Sequence, residues 1–221
     1  MSQEPKIKRM AILNRRGGDD RSFFQNHWLK VHGGLVAGLP YLRSYVQNHV
    51  QEDFVEGGAP PAFKVDGLVE QVWNSDAEMQ MGYRPDSDQV KAMLVDEPNY
   101  IGHGTNYAML YSAPLYTAED GSKLIVIVRH RGDTRIADDI FAHARAQAGC
   151  NRSIRDDVLA VIPKFNMKEP PVPVDAFLHL YFDGPENARR AGQDQAAYAQ
   201  KYANLPNIAL GVVRVRTATI I

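Results

Sequence analysis

Three of the chain's seven histidines, His27, His32 and His49, fall between Phe23 and Val50, a stretch that also carries Trp28 and Tyr45. Imidazole titrates near neutral pH, so a positioned histidine can take a proton from a substrate. A tyrosine hydroxyl can donate to a developing oxyanion. His32, Tyr45 and His49 are therefore candidates for general acid-base chemistry, with His27 in reserve and Phe24 and Trp28 as aromatic residues that could hold a ring. Glu70 and His179, on two strand-like segments, are candidate pocket polars whose faces the sequence leaves open. Each residue also has a structural role to weigh. His32 can close a glycine-rich helix end, and Tyr45 can be a core tyrosine with its hydroxyl at the rim. His49 can end a strand in solvent, Phe24 and Trp28 can be ordinary core, and His27 sits one position off the apolar stripe.

Other chemistries find less support. His27 and His32 are five apart and share no helical face, and there is no HExxH or HxH pattern, so no metal site is expected. Gly17-Gly18 lacks the GxGxxG spacing of a dinucleotide site, and no P-loop or GxSxG elbow occurs. Cys150, the single cysteine, has no activating base beside it and reads as inert. A net charge of -1 argues against nucleic acid and anionic membranes as partners. MSQEPKIKRM lacks the apolar core of a signal peptide, and no apolar run reaches the length of a membrane span, so a cytoplasmic protein is expected.

The elements that must position these residues follow from periodicity. Lys8–Asn14 reads as a strand closing on Arg15-Arg16-Gly17-Gly18. Phe24, Trp28, Val31 and Leu35 mark one face of the next helix, which ends near Gly38 and Pro40. In the strand Leu42–Val50, Arg43, Tyr45, Gln47 and His49 share a face. After the loop Glu56–Pro61 come a strand at Val65–Trp73, a helical region broken at Pro85 and running to about Val95, and a strand at Asn106–Tyr111. That order, β-α-β-β-α-β, is ferredoxin-like.

The second half repeats it: strand Lys123–Arg129, helix from about Ala137 to Gln147, a weaker strand near Val158–Ile162, strand Val174–Phe182, helix Pro185–Tyr202, and strand Ile208–Thr219. VDAFLHLYF at Val174 aligns without a gap against VDGLVEQVW at Val65, each just after a proline pair, Pro60-Pro61 and Pro170-Pro171. Two units, residues 1–114 and 115–221, are therefore expected to close their sheets on each other as an intramolecular α+β barrel, with a small-molecule pocket between the sheets. The second copy has Phe141 for Phe24 but Arg145 for Trp28 and Gly149 for His32, so one functional site per chain is expected.

Phe24, His27-Trp28, His32, Leu39-Pro40 and YVQNHV at Tyr45–Val50 together resemble the EthD family of dimeric α/β-barrel proteins. The resemblance covers roughly 30 residues by motif and both halves by element order. It implies relatives that include lactone isomerases, polyketide cyclases and dehydratases working without a cofactor, with His32 and Tyr45 in the usual acid-base positions. The expected function is cofactor-independent dehydration, isomerisation or cyclisation of a small oxygenated, cyclic or aromatic metabolite. The alternative is a non-catalytic binding or accessory protein of an aromatic or ether catabolic pathway. Haem, bound by some barrels of this superfamily, is a minor alternative without a specific ligand here. A homodimer would use outer surfaces, since the barrel is complete within one chain.

Overall fold

The computed structural model describes residues 6–55, 65–111, 113–162, 172–202, 205 and 208–221. The loop Glu56–Pro61 and both proline pairs lie outside these residues. The first half contains β1 (Ile7–Arg15), α1 (Arg21–His27), a π-helical turn (Trp28–His32), α2 (Gly33–Ala37), β2 (Ser44–Asp53), β3 (Gly67–Trp73), α3 (Asp76–Gly82), α4 (Asp88–Asp96) and β4 (Ile101–Leu110). The second contains β5 (Lys123–Arg129), α5 (Thr134–Arg145), β6 (Cys150–Asp157), β7 (Ala160–Ile162), β8 (Ala176–Phe182), α6 (Pro185–Ala199) and β9 (Ala209–Thr219).

Local chemistry sets several boundaries. The Ser75 and Ser87 hydroxyls cap α3 and α4 by accepting from the Glu78 and Val90 N–H groups. Pro85 falls between the two helices, where its missing N–H costs nothing. The repeat is visible in one paired device. The Asp66 carboxylate ahead of β3 accepts the Arg15 N–H at 3.0 Å, and Asp175 ahead of β8 accepts the His130 and Arg131 N–H groups at 2.6 and 2.8 Å. Each aspartate ties down the turn that follows the first strand of its copy.

The strands form one sheet in the order β6-β8-β5-β9-β2-β3-β1-β4-β7, paired antiparallel. Each copy contributes the ferredoxin order, and β2 of the first pairs with β9 of the second. The sheet's two ends meet where β6 gives way to β7. Val158 N–H bonds the Asp175 carbonyl beside β8 at 2.8 Å, and the adjacent Leu159 N–H bonds the Ala108 carbonyl in β4 at 2.9 Å. The barrel therefore closes within one chain. Where a single weak strand near Val158–Ile162 was expected, there are two, β6 starting back at Cys150. The polar run CNRSIRDD hid β6, because most of it lies at the barrel's outer rim with little buried surface.

Alternation assigns the faces. Met10, Ile12, Leu68, Tyr107, Ile125, Phe177 and Val213 point inward and join the two copies in one apolar cluster. One end of this interior holds a buried ionic network. Lys8 Nζ lies 2.7 Å from both Glu70 and Asp156, Lys123 Nζ lies 2.5 Å from Glu70, and His179 Nε2 stands 3.0 Å from Asp156. The opposite faces pack under helices, α1 to α4 over the first copy and α5 and α6 over the second.

Candidate functional site

A cleft of about 280 Å³ opens between α3, α4 and the helix-covered face of the first sheet. It does not lie between the two sheets, where the pocket was expected: inward-pointing apolar side chains and the ionic network fill that space. Its outer walls are apolar, with Met79, Pro85, Val90, Met93, Leu94 and Ile162, and its floor is Arg9 and Asn106. Behind it lies a chamber of about 20 Å³, room for roughly one water molecule. Arg9, Tyr83, Met93, Glu97 and Asn106 line both spaces, so they form the partition. His32, Tyr45, Trp28 and Tyr100 line the inner chamber.

The π turn puts His32 there. Gly33 N–H bonds the Trp28 carbonyl, an i→i+5 closure that adds one residue to the circuit. Val31, expected on the buried stripe, is consequently 48% exposed, and His32 is turned inward to 5%. Gln47 supports the turn from β2 by donating to the same Trp28 carbonyl at 3.0 Å.

Asp96, the last residue of α4, joins two of the histidines. It lies 2.8 Å from His27 Nε2 and 2.9 Å from His32 Nδ1. A carboxylate only accepts, so Nδ1 of His32 carries a proton toward Asp96. Burial pushes the Asp96 carboxyl up, but the hydrogen bonds from His27 and His32 outweigh it and hold it below the usual range. Tyr100 stacks on His27 at 4.9 Å and tilts against His32 at 5.2 Å.

Tyr45 is fully buried, and burial raises its phenol well above the ordinary value. Its oxygen accepts from Gln47 Nε2 at 2.8 Å and Trp28 Nε1 at 3.1 Å. Those bonds leave its own proton without a protein acceptor among the described residues. The Tyr100 hydroxyl on the same chamber is buried and has no partner among the described residues.

Phe24 packs against Trp28 and Tyr100, forming core behind the chamber. His49 shares the Tyr45 face of β2 but sits behind Trp28, 4.7 Å from its ring, and does not line the chamber. Glu70 and His179 come together, 3.8 Å apart, but inside the barrel on the far side of the sheet. Arg9, Tyr83, Asp96, Tyr100 and Asn106 had not been singled out. Arg9 lay within an apolar-looking strand, and Asp96 is 64 residues from His32, so nothing local marked either.

No family model and no curated protein matches the chain. Among solved structures, an anthrone oxidase-like protein is similar over 99% of this chain and 94% of its own, with TM-score 0.58 and 9% identity. A proposed monooxygenase from Fusobacterium nucleatum is similar over 99% and 95%, with TM-score 0.55 and 7% identity. The chain is a ferredoxin-like α+β barrel. At these identities the likeness speaks for that fold alone. An ethyl tert-butyl ether d (EthD) family protein from Bacillus halodurans covers 47% of this barrel at 20% identity, with 95% of its own length matched and TM-score 0.37. Among the described residues, no helix of the barrel is long and apolar enough to cross a membrane.

Proposed function

We propose that this barrel is an enzyme that moves a proton on a small organic molecule seated in the α3–α4 cleft. The observation that carries the reading is Asp96 held between His27 and His32, with His32 lining the same chamber as Tyr45, whose hydroxyl proton has no protein acceptor among the described residues. In this reading Asp96 fixes the His32 ring and stabilises the imidazolium that forms when Nε2 takes a proton from carbon. Tyr45 donates to the oxygen on which charge develops, and the buried aromatic walls keep bulk water from both. Dehydration, isomerisation or cyclisation without a bound cofactor all use this step. The EthD likeness, the division at residue 114, a homodimer through outer surfaces and a cytoplasmic location belong to the same proposal.

The partition supports a second reading. The chamber of His32 and Tyr45 holds only about 20 Å³, so a ligand confined to the outer cleft would be bound without chemistry. The test is turnover of candidate substrates by the wild type, His32→Ala and Tyr45→Phe, with ligand affinity measured separately. The catalytic reading expects each variant to lose roughly 100- to 10,000-fold in kcat while retaining affinity. His32→Ala should also remove the acidic limb of the rate profile. Variants that turn over as fast as the parent would sink the catalytic assignment.

A further inference from the structure

Arg9 describes what the cleft holds. It is only 8% exposed, yet its hydrogen-bond partners are all neutral. Nη1 donates to the Tyr83 hydroxyl at 2.7 Å and to Gln71 Oε1, and Nη2 donates to Asn106 Oδ1 at 2.7 Å. The Tyr83 ring stacks against the guanidinium, 4.6 Å from Cζ. A guanidinium offers five N–H donors. These contacts engage three of them and leave Nε–H and one Nη2 hydrogen without a protein acceptor among the described residues. The neighbouring Lys8 contrasts with it, pointing the other way into the barrel onto two carboxylates. Among the described residues no carboxylate forms an ion pair with Arg9; a buried cation so placed is unfavourable, and a guanidinium with open donors matches a forked oxyanion.

We propose that Arg9 reads a carboxylate on the substrate, whose apolar ring or chain fills the outer cleft against Val90, Met93, Leu94 and Ile162. This rests on reading the cleft as the substrate site. Because Arg9 lines both spaces, a carboxylate held there sets the adjoining carbons at the entrance to the chamber of His32, Tyr45 and Tyr100. Glu97 and Arg84 also face the cleft, so its charge is mixed; Arg84 is exposed and gives Nε and Nη2 to Asp86, whereas Arg9 is buried and keeps open donors. Tyr83 and Asn106 hold the guanidinium in place at the floor, which fixes the direction in which those donors point.

The test is calorimetric titration with a matched pair of probes, 2-naphthoate and 2-naphthamide, which share a ring system and differ in charge. The wild type should bind the carboxylate about tenfold or more tightly than the amide, the scale of charge-assisted hydrogen bonds. Arg9→Gln should remove the preference, and Arg9→Lys, which keeps the charge but loses the fork, should retain only part of it. Equal binding of the two probes by the wild type overturns the proposal. So does a preference for the amide, a carboxylate preference that survives in folded Arg9→Gln, or no saturable binding of either probe. The wild-type pair decides even if Arg9→Gln fails to fold. Turnover plays no part, so a chain that prefers 2-naphthoate but catalyses nothing would sink the catalytic reading and leave this one standing.

Discussion

The Gln47 amide donates to the Tyr45 hydroxyl at 2.8 Å, two residues along the same face of β2. The same nitrogen bonds the Trp28 carbonyl at the start of the π turn, so one side chain fixes both the donor and the helix that carries His32. Gln47→Leu removes this link in a fully buried place. It should destabilise the fold by about 1–3 kcal/mol, measured by urea denaturation. Combined with Tyr45→Phe, the losses should fall short of additive, because both substitutions cut one network. Strict additivity would show the link to be incidental.

His49 gives stability a pH dependence. Burial, with Arg216 adding to it, pushes its ionisation down to about 4. Its Nε2–H faces Gln47 Oε1, and Nδ1 has no partner among the described residues, so a second proton finds no acceptor there. The unfolded chain takes that proton near pH 6.5, before the folded chain does. Stability should therefore fall as pH drops from about 6.5 toward 4, by an amount on the order of 3 kcal/mol. His49→Gln should flatten that window. Asp96 acts below it: its lowered carboxyl loses its contribution as pH falls below about 4. Denaturation midpoints against pH for wild type, His49→Gln and Asp96→Asn separate the two.

Glu70 is the hub of the interior network, meeting Lys8, Lys123 and Asn48. Burial would raise its carboxyl, but Lys123 and Lys8 outweigh that and hold it well below the usual range. Glu70→Gln leaves two buried ammonium groups facing one aspartate and should cost about 3–5 kcal/mol. Ligand affinity should be unchanged in whatever fraction remains folded, since the cleft is across the sheet. A loss of affinity without loss of stability would return Glu70 to the substrate site.

Gly67, at the head of β3, lies directly under the Trp28 indole, and a Cβ there would overlap the ring. Its counterpart in the second copy is Ala176, where Arg145 replaces the tryptophan. Gly67→Ala should cost about 1–3 kcal/mol by overpacking and should displace the indole from Tyr45 and His49. Tryptophan fluorescence, read beside the denaturation midpoint, would report both effects. An unchanged spectrum and midpoint would mean that the indole yields freely.

How far the chain could be read from its sequence depended on whether the signal was local. Strands such as Lys123–Arg129 and the matched segments at Val65 and Val174 announced themselves because alternation and length are local properties. Both copies' topology followed from them. Val31 was placed on the buried side by a helix assumed regular, and that reading gave His32 no side. The extra residue of the π turn is held by Gln47, which is distant in sequence. Lys8 and Arg9 looked like one basic flank of an apolar strand, although alternation sends one into the barrel and the other into the cleft. Asp96, beside Glu97 and Pro98, resembled an ordinary acidic helix end. Its meaning came only from the histidines that the fold brings to it.

The β2–β9 pairing also bears on how the protein is made. β2 is complete by Asp53, yet its partner begins at Ala209, so nearly the whole chain must leave the ribosome before that edge is covered. Pairings so far apart in sequence make for slow folding. Meanwhile β2 presents an unpaired edge and the first half an uncovered apolar face, the setting in which chains stick to one another. The end of β2 carries Glu52 and Asp53, whose charges discourage strangers during that wait. Once β9 arrives, Glu52 takes up Arg214 at 2.8 Å, so a carboxylate that guards the growing chain helps to hold the finished one.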